Sequence, residues 1–435
     1  MTIDRRALLG AGAAGAVLAS GSARGAAAVA PRFLWGAATA AHQIEGGNVN
    51  ADYWVLEHIA DTYFREPSGD ACDSYHRWRD DLALVGAGGM NAYRFSIEWA
   101  RIEPERGEIS RGALDYYKRL CATARDRGIE PVVTFHHFTS PRWIAAQGGW
   151  ENPATADAYA RYAGIAARAL GDTVRWVCTM NEPNAQVTSK VLQLGRPWDR
   201  EPAIRAQAAR AVGSSTWGSY FLGDSFRVRD TCLDAHHKGR DAIKAAMPHA
   251  RVGLTLALQE LSAGPGGDAL LARIRQEARA PFYETARADD FIGVQTYNRG
   301  VIGPAGYLRS PGALRDAADA DASPGALVAV ADEAHQATGR PVFVTENGIN
   351  APDDALRVRH LRATLDGLAS AIDGGLPVLG YMHWSLLDDF EWSSGYVPRF
   401  GLVAVDRTSF RRTPKPSLAA YRAKIAELRA RHRWA

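Results

Sequence analysis

From Phe33 onward the chain alternates between short apolar runs of strand length and longer segments whose apolar residues recur at helical spacing. The runs are "FLWGAAT" from Phe33, "AYRFSIEW" from Ala92, "PVVTFHH" from Pro131 and "VRWVCTMN" from Val174. Four more come after these: "RVGLTLAL" from Arg251, "FIGVQTY" from Phe291, "PVFVTEN" from Pro341 and "VLGYMHWSL" from Val378. Amphipathic stretches separate most of them, for example Asp115 to Arg127 and Arg357 to Asp373, with Gly128 and Gly374 to Gly375 as stops before the next run. Alternating strand and helix predicts βαβ units and a parallel sheet. Eight strands are what an α/β fold of the (β/α)8 TIM barrel type needs. The Gly, Pro, Asp and Ala-rich stretches 262–268 and 303–324 are followed at once by patterned sequence, so they read as surface loops and not as linkers.

Composition adds limits. A chain of 435 residues, 46% hydrophobic and 23% charged, is an ordinary soluble globular protein. Barrels routinely exceed ~250 residues as one unit, so residues 31–435 are expected to form a single catalytic domain. The formal charge of +3 is unevenly placed: Arg5, Arg6 and Arg24 against Asp4 give residues 1–30 a charge of 3 − 1 = +2, leaving +1 for the rest. That remainder offers no electrostatic case for a nucleic-acid partner.

Residues 1–30 read as an address. Arg5 and Arg6 precede a mildly hydrophobic run from Ala7 to Ala19, and Ala26, Ala28 and Ala30 offer two A-x-A-like cleavage points. The run is too short to span a bilayer, so no membrane partner is expected. The paired arginines resemble a bacterial twin-arginine signal, which implies export of a folded protein to the periplasm or beyond; the competing reading is a structureless tail. Cys72, Cys121, Cys178 and Cys232 lack metal-ligand spacing and are expected to be buried thiols.

In a barrel of this kind the chemistry sits at the C-terminal ends of the strands, where the loops converge on one mouth. Glu182 comes just after the fourth run and Glu346 ends the seventh, while Gln43, Arg94, His137, Tyr297 and Trp384 lie at or past the ends of the first, second, third, sixth and eighth. A buried carboxylate is costly, so two of them at strand ends point to acid/base and nucleophilic chemistry. A lone glutamate could equally be structural; polar or aromatic groups at seven equivalent strand ends weaken that reading. His136 and His137 cannot easily share a metal ion, because adjacent strand residues point to opposite faces. His236 and His237 sit in a helical segment and read as surface or core.

Six segments, "FLWGAATAAHQIEGG", "ACDSYHRW", "AYRFSIEWARIEP", "TMNEPN", "VTENGI" and "WSLLDDFEW…GYVPRFGLVAVD", closely resemble those of glycoside hydrolase family 1, the β-glucosidase family. The resemblance implies a (β/α)8 barrel, hydrolysis of small-molecule or oligosaccharide β-glycosides with retention of configuration, and no cofactor. It carries the general acid/base onto Glu182, the nucleophile onto Glu346, the nearby arginine onto Arg94 and the tyrosine that hydrogen-bonds the nucleophile onto Tyr297. It carries sugar recognition onto Gln43, His137, Asn181, Trp384, Glu391 and Trp392. Gln43 and Glu391 would hold the far hydroxyls, Trp384 would stack beneath the ring and Asn181 would serve the 2-hydroxyl.

Four positions depart from the family pattern: Phe138 where tryptophan is frequent, and Gln295, Ala257 and Asp389 where asparagine is usual. They bear on substrate choice and not on reaction type. Residues between Asn184 and Thr231 fit no family motif, and the aromatics Trp198, Trp217, Tyr220 and Phe221 are expected to form the aglycone side. Two other functions compete with hydrolysis: transglycosylation through the same intermediate, and a silent glycan-binding barrel, against which both glutamates stand. A 6-phosphoglycosidase is disfavoured because "FEW" stands where those relatives carry a phosphate-binding loop.

Overall fold

A computed structural model describes residues 32–192 and 199–432. The expected signal in residues 1–30 and Trp198 lie outside the described residues. Eight parallel strands close into a barrel: β1 Leu34–Ala38, β2 Ala92–Ser96, β3 Glu130–Thr134, β4 Trp176–Asn181, β5 Arg251–Ala257, β6 Phe291–Thr296, β7 Val342–Asn347 and β8 Val378–Trp384. Each pairs with its neighbours in sequence, and β8 returns to β1 with Leu34 opposite Gly380 and Ala38 opposite Trp384. All eight expected strands are present, and the fold is a (β/α)8 barrel.

Helices fill the crossovers, among them α1 Arg111–Asp126 after β2, α2 Ser225–Ala246 after β4 and α3 Asp354–Asp373 after β7. Two of these begin three or four residues before the apolar periodicity does. Ser110 caps α1 by accepting from Ala113 N and Asp353 caps α3 by accepting from Ala355 N, so polar first turns are helical without contributing to the core. Gly128, at φ 72°, turns the chain from α1 into β3, a conformation that favours glycine.

Side-chain alternation along the strands divides the core in two. Tyr93, Phe95, Val133, Val177, Leu254, Ile292, Val294 and Val344 face the helices in the main core. Leu34, Ala92, Val132, Trp176, Phe291, Phe343 and Met382 fill the barrel interior. There the rings of Trp176, Phe291 and Phe343 meet pairwise at 5.4 to 5.7 Å and plug the floor. Phe343 is fully buried in this plug, so Phe343→Ala is expected to cost ~3–5 kcal/mol of stability. Urea unfolding checks it, and a loss under ~1 kcal/mol would mean that the plug does not support the barrel.

Three expectations need correction. The second run ends as strand at Ser96, because Glu98 accepts from Ala100 N and starts a helical turn at Trp99–Ile102. The third ends at Thr134, three residues short of His137. The supposed loops around 262 and 303 contain part of a small three-stranded sheet, Glu260–Ala263, Arg299–Gly303 and Gly306–Leu308, laid outside the barrel. The four cysteines are buried and free. No helix among the described residues is long and apolar enough to cross a membrane.

Candidate active site

Two irregularities in the barrel create the site. In β4, Trp176 and Cys178 face the interior and Val177 faces out, so strict alternation would turn Asn181 outward. The register slips between Cys178 and Asn181 against β5, placing Met180 in the outer core and Asn181 inside. The same occurs in β7. Phe343 points in and Val344 out, yet a slip between Val344 and Glu346 against β6 brings Glu346 to the interior. One extra residue in a strand reverses which face its following side chains meet.

Glu346 lies in a cage of donors. Its Oε1 accepts from Arg94 Nη1 at 2.5 Å and from Gln295 Nε2 at 2.9 Å, and its Oε2 accepts from the Tyr297 hydroxyl at 2.5 Å. Burial raises its pKa above the usual carboxylate value, while Arg94 and Tyr297 pull it back. Asn181 Oδ1 accepts from Arg94 Nη2 at 2.6 Å and Gln295 Nε2 at 2.9 Å, which commits Asn181 Nδ2 to donate to His137 Nε2 at 3.1 Å. Burial, with Arg94 adding to it, holds His137 neutral. Its proton therefore sits on Nδ1, a buried atom with no protein partner.

Gln295 thus bridges the nucleophile candidate and Asn181 through one amide nitrogen. Gln295→Leu, which keeps the volume and removes the donor, is expected to lower kcat/KM about 10- to 100-fold, since a hydrogen bond to a charged group is worth ~1.5–3 kcal/mol. Steady-state kinetics check it; an unchanged kcat/KM would remove Gln295 from the site.

Glu182 sits one residue past β4 at φ 48°, in the left-handed region that a non-glycine residue adopts at a cost of order 1 kcal/mol. Its N–H donates to Thr255 O on β5 at 3.0 Å, which fixes the turn. Burial pushes its pKa well above the usual carboxylate range, and the charges of Glu346 and Glu391 push it further. Both carboxyls are raised, but only Glu346 is in direct contact with a guanidinium, so a single proton shared by the pair resides on Glu182.

Both glutamates line one cavity of about 390 Å³ at the C-terminal mouth of the barrel, with His137, Asn181, Tyr297, Trp384, Glu391 and Trp392. Trp384 Nε1 donates to Glu391 Oε1 at 3.1 Å, and Gln43 Nε2 donates to Phe390 O at 2.9 Å and to Glu391 Oε2 at 3.4 Å. Burial raises Glu391 to about 7. Gln43 is fully buried behind the lining, in contact with Glu391, and its Oε1, like His137 Nδ1, has no hydrogen-bond partner. His137 stacks on Trp384 at 5.8 Å and on Trp392 at 6.0 Å. His136 turns away to Ser140 Oγ at 3.0 Å, and His236 is buried between Thr179 and Asp289. No group of three or more His, Cys, Asp or Glu among the described residues could hold a metal ion.

The outer part of the cavity is aromatic. Of the expected aglycone residues that are described, only Phe221 lines it. Trp217 is buried in the core, and Tyr220 is a buried support whose hydroxyl donates to Asn181 O at 2.9 Å. Sequence reasoning missed Tyr53, Tyr63, Phe64 and Phe400; the first three stand in the long connection after β1, where aromatics at the top of a barrel were the available signal. Phe138, at φ 70°, packs its ring on Trp392 at 5.1 Å and on Phe221 at 5.0 Å. Asp389 is buried, and its Oδ2 has no hydrogen-bond partner.

The model of Glycosyl hydrolase family 1 matches residues 27–268 and 323–429. The intervening stretch, unmatched, contains β6 and with it Gln295 and Tyr297. Beta-glucosidase A of Thermotoga maritima is 30% identical over 88% of this chain and 95% of its own. A bifunctional beta-D-glucosidase/beta-D-fucosidase of Bifidobacterium breve is 30% identical over 92% of this chain and 98% of its own. The crystal structure of beta-glycosidase BGL167 superposes with a TM-score of 0.87 at 45% identity, covering 92% of this chain and 96% of that one.

Proposed function

The chain belongs to glycosyl hydrolase family 1 and is a β-glucosidase-type glycoside hydrolase, and we propose that it works from the non-reducing end with retention of anomeric configuration. The carrying observation is the unlike surroundings of two carboxyls in one cavity: Glu346 held by Arg94, Gln295 and Tyr297, and Glu182 raised by burial and by its neighbour's charge. A double displacement needs one ionised and one protonated carboxyl.

In the first half, a Glu346 oxygen attacks the anomeric carbon as Glu182 gives its proton to the departing oxygen, and a glycosyl ester forms. The ester is neutral, so the charge that raised Glu182 disappears and the Glu182 carboxylate can take a proton from water in the second half. Water adds to the anomeric carbon, the ester bond breaks and Glu346 returns as carboxylate. Meanwhile Gln43, Glu391 and His137 present acceptors and donors to the ring hydroxyls, Trp384 offers the apolar face, and Asn181 meets the 2-hydroxyl. Following a β-glucoside by proton NMR should show β-glucose appearing first and mutarotating later; initial α-glucose would overturn the proposal. The relatives' names favour gluco- or fuco-configured sugars, and aryl β-glycosides differing only in the sugar would rank them.

We also propose export through the twin-arginine route, on the strength of Arg5, Arg6 and the mild apolar run behind them. Changing both arginines to lysine should leave the activity in the cytoplasmic fraction; unchanged export would contradict this.

A further inference from the structure

One wall of the active-site cavity depends on a backbone turn that its central residue does not favour. Thr139 N donates to His137 O at 2.9 Å across Phe138, whose φ is 70°. A three-residue turn closed over a positive φ is rare and strained, and phenylalanine lacks the freedom that glycine has there. His137 and Phe138 both line the cavity, so the turn decides where two of its rings stand. Asn181 and Trp392 contact those rings. The backbone of the turn needs a restraint of its own.

That restraint comes from two acids outside the cavity lining. Glu98 lies two residues past β2, and its Oε2 accepts from Thr139 Oγ1 at 2.8 Å. Asp52 opens the short helix Asp52–His58 in the connection after β1. Its Oδ1 accepts from Ser140 N at 2.9 Å, and its own N–H donates to Ser140 O at 2.8 Å. Both acids are buried, Asp52 completely, and burial raises both carboxyls above their usual range. Asp52 Oδ2 has no hydrogen-bond partner, so an acid is buried here for the use of one oxygen, a costly choice for a residue that only fills space. Ser140 is held by its side chain as well: its hydroxyl accepts from Trp150 Nε1 at 3.0 Å and meets His136 Nε2 at 3.0 Å. The connections after β1, β2 and β3 thus meet at Thr139 and Ser140, immediately after the turn.

Resting on the glycosidase reading above, with His137 as a sugar contact, we propose that Asp52 and Glu98 are positioning residues for the reaction: they hold the Phe138 turn in its strained form and so aim His137 and Phe138 at the sugar ring. Neither touches the substrate. Two acceptors from different connections fix two successive residues, which keeps Phe138 from relaxing to negative φ. Asp52 does this through the backbone of Ser140, Glu98 through the hydroxyl of Thr139.

The test uses the full chain and 4-nitrophenyl β-glucoside, and it reads kcat/KM per folded chain. Asp52→Ala removes the acceptor and should lower kcat/KM about tenfold or more, the worth of one hydrogen bond to a carboxyl group. Thr139→Val, which removes only the hydroxyl that Glu98 receives, is the second variant should the first not fold, with a loss of about fivefold. The discriminating measurement repeats each substitution in a His137→Ala chain, where no imidazole is left to aim. There each should cost less than about twofold, because residues that act through one another are not additive. A role in stability alone would cost as much in either chain. Wild-type kcat/KM in both variants, or losses of the same size in both chains, overturns the proposal. A His137→Ala chain as active as wild type would instead overturn the sugar contact on which it rests, and absence of nitrophenol release by wild type would overturn the glycosidase reading.

Discussion

Glu346→Ala should lower kcat on aryl β-glucosides by roughly 10⁵-fold, the scale on which removing a covalent nucleophile acts. The cage explains why nothing else replaces it. Arg94, Gln295 and Tyr297 all direct donors at this one carboxylate, whereas burial raises the cavity's two other carboxyls, Glu182 and Glu391. Removing the side chain leaves a void beside a buried cation, which suits a small anion. Azide or formate should therefore restore part of the rate, attacking from the side that Glu346 occupied and giving a product of inverted configuration. Normal turnover by the variant, or rescue with retained configuration, would remove Glu346 from the role.

Glu182→Ala should separate substrates by leaving group. Alkyl β-glucosides, which need their oxygen protonated, should lose about 10²- to 10⁴-fold, the usual worth of general acid catalysis. Aryl glucosides with acidic phenols should keep most of the first step. The pH profile supplies a second readout. Under the proposed double displacement, activity requires Glu182 protonated and is lost as pH rises through its pKa, which burial and Glu346 place well above the ordinary value. It also requires Glu346 ionised and is lost as pH falls through that group's pKa. The alkaline limb should thus flatten in Glu182→Ala on activated substrates while the acid limb stays. Equal losses on both substrate types, or an intact alkaline limb, would contradict the acid role.

The barrel was legible because its strands are buried on both faces, which makes each a β-rich apolar run whatever helix or loop comes after it. The two glutamates were legible because a charged residue ends each such run. What alternation could not give is their aim. Counting from Trp176 and from Phe343 puts Asn181 and Glu346 on the outer face, and slips in register within β4 and β7 reverse this. Hydrogen bonding across strands decides such slips, and no residue type announces them. Backbone strain was equally hidden. Phe138, Glu182 and Trp392 line the cavity at positive φ without being glycine, held by packing and hydrogen bonds that form only in the closed barrel. The cavity mouth was the least legible part, since Tyr53, Tyr63 and Phe64 come from a helix and loop whose pattern reads as ordinary amphipathic sequence.

Whether the reaction passes through an ester on Glu346 is the central question, and a covalent label answers it most directly. Incubation with an activated 2-deoxy-2-fluoro-β-glucoside, which slows hydrolysis of the intermediate more than its formation, then proteolysis and mass spectrometry of the peptides, reports it. The double displacement predicts one 2-deoxy-2-fluoroglucosyl group per chain, borne by the peptide containing Glu346 and absent from Glu346→Ala. A label on any other carboxylate, or inhibition without a covalent adduct, would contradict it.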